Sequence, residues 1–356
     1  MAKTNVLHEW FPTAKWPLVI SAPMFTVANG ALAAEVTRAG GLGMVPAGMD
    51  PSTESPHLAA LDSQLTIAHQ ILAKKTESSS ADDESRPPLP IGVGFLTLLA
   101  TPDAYRANVL PILRKHRPAF VWLFGSDPSE YGPLIALFHD ECAEFCGGLK
   151  VFVQVGTVEA ARQAARAGAD VVVAQGSDAG GHQWAQAASV MTLVPEIVDA
   201  LRNEAEFKSG KEVAVVAAGG IVDGRGWRRH WRWARMRLLW APGTSDGGAT
   251  TTRLGAEWIT IRSSANDAIM GYPTWSKLYA GRTTLHSGLT DIANGVPVEQ
   301  VHESFKKGLT EGDETRMFTF AGTGVGLVQK SQSAGEVVQE VRTEALDVIA
   351  NLKGNL

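Results

Sequence analysis

The chain has 356 residues, 45% hydrophobic and 19% charged, with a formal net charge of −5. That length can bury a substantial core, as one large α/β domain or two smaller ones. Mild acidity, no apolar run of transmembrane length and no basic apolar leader argue against nucleic-acid and membrane partners, and we expect a cytoplasmic protein that handles small molecules.

An apolar run at 18–20 reads as the first strand, followed by the turn Ser21-Ala22-Pro23-Met24. A helix over 30–38 stops at Gly40-Gly41 before a second strand at 42–45. Next come a helix at 58–74, a Ser/Pro-rich polar insertion at 75–88 with little to bury, and a third strand at 90–96 containing Gly92 and Gly94. The alternation continues with a helix at 105–115, a strand at 119–124, a helix at 131–145 and a strand at 150–155. Cys142 and Cys146 are four residues apart, a spacing that a helix would place on one face. Two cysteines are too few for a zinc site or a disulfide framework and read as thiols in a reducing compartment.

Thr157 caps a helix at 157–167 that Gly168 closes. The stretch from Asp170 to His182 then organises the rest. Its Val-Val-Val-Ala half predicts a strand buried on both faces, and its Gly-Ser-Asp-Ala-Gly-Gly half a flexible loop with His182 at the tip. Gln175 can donate and accept, Gly176, Gly180 and Gly181 allow close approach of a ligand, and His182 brings an imidazole that can take up or give a proton. A helix at 195–203 and a seventh strand at 213–217 follow, the latter ending in Ala218-Gly219-Gly220-Ile221. Seven such units predict an α/β protein of the (β/α)8 TIM-barrel type, with its site at the C-terminal ends of the strands. In the rival open doubly wound sheet a glycine fingerprint follows the first strand, where this chain has Ser-Ala-Pro-Met.

With these pieces in place, the chain resembles the nitronate monooxygenase (2-nitropropane dioxygenase) family of FMN-dependent barrels. The matching stretches are Ala22-Pro23-Met24, the run from Ala174 to His182, and Ala218-Gly219-Gly220-Ile221 with Asp223-Gly224. The likeness covers about residues 15–226 and resumes near 258. It implies that Pro23 contacts the flavin and Met24 lies against its ring system through its backbone, that Gln175, Gly180 and Gly181 contact it, and that Gly219 and Gly220 hold its phosphate. It also implies that His182 is the catalytic base that takes the α-proton of a neutral nitroalkane. A nitronate, already an anion, needs no base. The flavin accepts an electron from it and dioxygen completes the oxidation to a carbonyl compound and nitrite. Where family members often carry Asn in the third strand, this chain has Gly94, which leaves backbone groups and Thr97 to replace that flavin contact.

The expected eighth unit is interrupted. Between Trp227 and Trp240 lie four of the ten tryptophans and five arginines. A one-base frame shift accounts for this run, because Trp is always TGG and Arg often CGG or CGC. The shifted run can be read as Val-Ala-Ala-Ala-Leu-Ala-Leu-Gly-Ala-Asp-Ala, then Gly-Thr, which is the missing helix, strand and phosphate loop. We therefore divide the chain into a barrel of seven units at 1–226, an anomalous segment at 227–257 and a helical appendage with a C-terminal helix at 258–356. The rivals are a Trp/Arg helix for a membrane or nucleic acid and a lineage-specific surface helix. Translated as written, the segment offers a strand at 236–240 and Gly243-Thr244 as a substitute phosphate loop.

Tyr272, Trp275 and Tyr279 read as core more readily than as substrate wall. Gln183 and Trp184 either close the pocket or pack the loop. The run from Phe320 to Gly326 has the glycine spacing of a nucleotide loop but no preceding strand, and it resembles the family's glycine segment before the last helix, at 335–352. His116, His139, His286 and His302 show no metal-ligand spacing and read as locally hydrogen-bonded; no metal is expected. The leading function is FMN-dependent oxidation of alkyl nitronates or nitroalkanes by dioxygen, with a homodimer left open. The alternatives are an FMN-dependent enoyl-thioester reductase using NAD(P)H and a flavin-poor, non-catalytic barrel. Genomic codons across 227–257 test the frame reading: a second frame is expected to spell Ala-Leu-Gly-Ala-Asp, and codons that cannot do so overturn it.

Overall fold

The computed structural model describes residues 6–25, 27–73, 88–143, 148–204, 207, 212–228, 238–240, 260–271, 275–328 and 330–354. Eight parallel strands form its centre: β1 (Val19–Ser21), β2 (Gly43–Pro46), β3 (Leu89–Leu96), β4 (Pro118–Phe124), β5 (Lys150–Val155), β6 (Val171–Gln175), β8 (Ala214–Ala218) and β9 (Leu238–Trp240). They are ordered β1-β9-β8-β6-β5-β4-β3-β2, and a parallel bridge from Ile20 to Leu42 joins the two ends. The sheet is therefore a closed barrel, as the strand and helix alternation predicts. β6 and β8 are buried along their whole length, which explains why Val-Val-Val-Ala and Ala-Val-Val-Ala-Ala are apolar without alternation.

The eighth strand comes from the segment as written. The backbone of Leu238–Trp240 pairs with Val19–Ser21 on one side and with Ala217 and Ala218 on the other. Residues 229–237 and 241–259, including Gly243-Thr244, lie outside the described residues, as do Lys74, 75–87 of the polar insertion and Cys146. Cys142 is a buried free thiol.

Helices wrap the barrel: α1 (Val6–Trp10), α2 (Gly30–Arg38), α3 (Pro56–Ala73), α4 (Leu110–His116), α5 (Tyr131–Cys142), α6 (Val158–Arg166), α7 (Val190–Asn203) and α8 (Gly224–Arg228). α2 approaches β2 so closely that a Cβ at Gly43 would lie 1.9 Å from the Ala33 carbonyl oxygen, so the position requires glycine. Thr157 caps α6 as expected, accepting from the Ala160 N–H at 3.1 Å. α7 differs from the predicted 195–203. It begins at Val190, capped by Ser189, and carries Pro195 inside it, so the proline is not its first residue.

The last third of the chain builds a second layer. β7 (Gly181–Trp184), β10 (Thr260–Ser263) and β11 (Tyr279–Thr284) make a three-stranded antiparallel sheet in the order β10-β11-β7. The helices α9 (Ala265–Met270), α10 (Ser287–Ala293) and α11 (Val298–Glu311) accompany it, and α12 (Ala334–Gly354) returns to the barrel. α12 buries Val337, Val338, Val341 and Ala345, and none of the described helices is long and apolar enough to cross a membrane.

Arg342 of α12 donates to the carbonyls of Pro17, Ala39 and Gly40 at 3.3, 2.9 and 3.0 Å. Two of these carbonyls follow the C-terminus of α2, where the helix dipole favours a cation. Arg342→Ala leaves buried acceptors unpaired and is expected to cost about 2 kcal/mol or more of unfolding free energy, measured by urea denaturation.

His286 is buried against Phe318 and bonds Asn266 Oδ1 through Nε2 at 3.1 Å. Burial pushes its pKa down from 6.5 to about 4. Between those values the unfolded chain binds a proton that the folded chain refuses. The stability from neutral His286 is thus complete above about pH 6.5 and lost as pH falls toward about 4. In denaturation series over that range, the midpoint of the wild type is expected to fall more steeply than that of His286→Gln.

Candidate active site

Parallel strands deliver their exits to one rim, and the expected site residues follow Ser21, Gln175 and Ala218 at the ends of β1, β6 and β8. Pro23 and Met24 are half-buried in the turn after β1. The Met24 N–H donates to the Ala22 carbonyl at 2.9 Å, and its own carbonyl accepts from Val27 and Ala28. Gln175 is buried; its Nε2 donates to the His182 carbonyl at 3.0 Å, while its Oε1 is buried with no hydrogen-bond partner.

His182 is not at a loop tip. It lies on β7, directly opposite Gly281 of β11. The partner strand comes about a hundred residues later, so the local sequence could not announce the pairing. Its Nε2 is 2.6 Å from Asp267 Oδ1, and its ring stacks on Trp275 with centroids 3.9 Å apart and planes 10° apart. Phe320 approaches at 5.3 Å. The His182 side chain is 15% exposed and that of Asp267 8% exposed.

Asp267 and Trp275 are the contacts that the sequence reading missed or undervalued. Asp267 sits in the first turn of α9, in an Ala-Asn-Asp-Ala run with no motif around it. The neighbouring Asn266 anchors that helix: its Nδ2 donates to the carbonyls of Ser263 and Gly281 at 3.4 and 3.2 Å, and its Oδ1 accepts from His286. Tyr279 is core, as expected, with its hydroxyl donating to the Ser126 carbonyl at 2.7 Å. Tyr272 lies outside the described residues.

The glycines after β6 and β8 interlock. Gly219 and Gly220 have φ of +91° and +74°; added Cβ atoms would meet Ala179 Cβ at 2.8 Å and Asp178 Cβ at 2.6 Å. Gly180 faces Gly322, whose backbone nitrogen would lie 2.5 Å from such a Cβ, and the Thr323 N–H donates to the Asp178 carbonyl at 3.0 Å. The segment from Phe320 to Gly326 thus lies against the loop after β6. Gly181, at φ +76°, has nothing within 4 Å of a Cβ position and borders open space. Arg282 donates from Nη2 to the Ser177 carbonyl at 3.1 Å, while its Nε is buried without a partner.

One expectation is corrected. Thr97 cannot stand in for a missing flavin contact, because its hydroxyl donates to the Phe124 carbonyl and accepts from the Ser126 N–H, both at 3.1 Å. At Gly94 a Cβ would lie 2.2 Å from Pro23 Cβ, so the proline ring packs where a side chain would start. Gln183 and Trp184 pack the loop. Gln183 Nε2 donates to the Ala179 carbonyl at 2.8 Å, and Trp184 lies over Gly156. His116, His139 and His302 are each bonded locally, to Asp62, Asp170 and the Ile269 carbonyl respectively.

The family model for nitronate monooxygenase matches residues 136–228. A nitronate monooxygenase of Neurospora crassa is 41% identical over 99% of this chain and 95% of its own length. A second, from Metarhizium robertsii, is 29% identical over 99% and 97%. Among solved structures, FabK from Thermotoga maritima superposes with a TM-score of 0.68 at 19% identity, covering 99% of both chains. The nitroalkane oxidase of Streptomyces ansochromogenes superposes at 0.66 and 22%, covering 98% of this chain and 100% of that one. The two structural likenesses bear on the fold, which they share. The near full-length sequence likeness goes further, and with it this chain belongs to the nitronate monooxygenase family.

Proposed function

We propose that this chain is a flavin-dependent oxidoreductase that oxidises alkyl nitronates, or neutral nitroalkanes, with dioxygen to a carbonyl compound and nitrite. The observation that carries the reading is His182, set at the barrel rim on a buried carboxylate and an aromatic face, in a chain 41% identical to a nitronate monooxygenase.

The residues at the rim fit a flavin mononucleotide. Gln175 Oε1 is a buried acceptor and Arg282 Nε a buried donor with no partner within the protein, and Gly181 borders open space. On this reading Pro23, Met24, Gln175, Gly180 and Gly181 hold the ring system, and Gly219 and Gly220 hold the phosphate, as loops late in such barrels commonly do. Met24 contributes van der Waals contact, because its backbone groups are occupied within their own turn. Bound flavin supplies the electron acceptor that the side chains lack, and dioxygen completes the oxidation.

The work left to the chain is binding and proton transfer. A nitronate is already an anion and needs only a place to sit. A neutral nitroalkane must lose its α-proton, and His182 is the imidazole positioned to take it. Trp275 and Phe320 crowd His182 and leave it mostly shielded from water.

The purified protein is expected to be yellow, to lose its flavin absorbance on anaerobic addition of ethylnitronate, and to ignore NADH and NADPH. His182→Asn is expected to keep nitronate turnover within a few-fold and to lower nitroethane turnover by about 10²–10⁴-fold. Bleaching by a nicotinamide cofactor with no response to nitronate points instead to an enoyl-thioester reductase. A colourless protein that takes up no flavin points to a non-catalytic barrel.

A further inference from the structure

We propose that Asp267 is the positioning residue for His182: it fixes the imidazole tautomer and makes Nδ1 the basic nitrogen. The inference deepens the proposed function and rests on it.

A carboxylate only accepts hydrogen bonds, so the 2.6 Å contact with Asp267 Oδ1 places the ring hydrogen on Nε2. The lone pair of the neutral ring then sits on Nδ1, which has no hydrogen-bond partner among the described residues. Asp267 is itself 5% exposed, so solvent does not compete strongly for its carboxylate. Its position is held by the next side chain, because Asn266 ties α9 to the carbonyl of Gly281, the residue paired across the strands with His182. Trp275, stacked 3.9 Å away, limits rotation of the ring about its own bond.

The consequence for the reaction is a proton transfer without a redox step. The α-carbon to hydrogen bond of the nitroalkane breaks, and its electron pair moves into the nitro group to give the nitronate. The proton forms a new bond to Nδ1, and the resulting imidazolium keeps its Nε2–H on Asp267. The buried carboxylate stabilises that cation, and the face of Trp275 favours it further. Without Asp267, the ring can place its hydrogen on either nitrogen and can turn away from the substrate.

The test uses the flavin-loaded enzyme, its Asp267→Asn variant and two readouts. In the first, Asp267→Asn is expected to lower kcat/KM for nitroethane by about 10²–10⁴-fold while leaving ethylnitronate turnover within a few-fold, since only the neutral substrate needs a base. In the second, imidazole ¹⁵N spectra of the wild type, with His182 assigned by its loss in His182→Gln, are expected to report the neutral Nε2–H form. The variant is expected to lose that preference. Equal loss on both substrates, no loss on either, or a wild-type Nδ1–H tautomer overturns the proposal. If the wild type oxidises neither substrate, the functional reading fails by itself, and the tautomer spectra alone decide the role of Asp267.

Discussion

The antiparallel pairing of Gly181–Trp184 with Tyr279–Thr284 is the constraint on which the site depends. It takes the chain leaving the sixth barrel strand and fastens it to a segment about a hundred residues downstream. That one ladder brings Asp267, Trp275 and Phe320 to the imidazole of His182. Strand side chains alternate between faces, so a slip of one residue would turn His182 to the opposite face and seat Gln183 or Gly181 against the aromatics. The buried Gln183 amide and the Gln175 bond to the His182 carbonyl pin the register from the barrel side.

Stability and chemistry are divided along the barrel axis. At the N-terminal ends of β1 and β2, Arg342 of the last helix gathers three carbonyls, and α2 lies in backbone contact with β2. At the other rim the loops after β6 and β8 and the 320–326 segment meet through glycines. There, Cβ atoms would strike neighbouring loops, so those glycines serve the fit of loop against loop before they serve a ligand. Two buried polar atoms at this rim, Gln175 Oε1 and Arg282 Nε, have no partner within the protein and are available to a ligand.

Much of this was legible in the chain. The helix Gly30–Arg38 and the strand Lys150–Val155 coincide with their predicted bounds, because Gly40-Gly41 stops the first and the apolar Val151-Phe152-Val153 centres the second. The other barrel strands shift by a residue or two. What was illegible is long-range. Asp267 is 85 residues from His182 and carries no motif, so only the folded chain brings the pair together. β7 reads as a loop because Gly180-Gly181 hides a short strand whose partner is remote. That the Pro23 ring packs against Gly94 is likewise visible only in the folded chain. The Trp/Arg-rich run reads as an interruption, yet the backbone of Leu238–Trp240 supplies the pairing that closes the barrel, since ladder hydrogen bonds need no particular side chain.

Deprotonation of a neutral nitroalkane depends on which nitrogen of His182 meets the substrate. A crystal structure with flavin mononucleotide and a nitroalkane bound tests this most directly. The account predicts the α-carbon against Nδ1 over the flavin, with Nε2 still on Asp267. A ring turned so that Nε2 faces the ligand, or a ligand lodged away from His182 altogether, would contradict it.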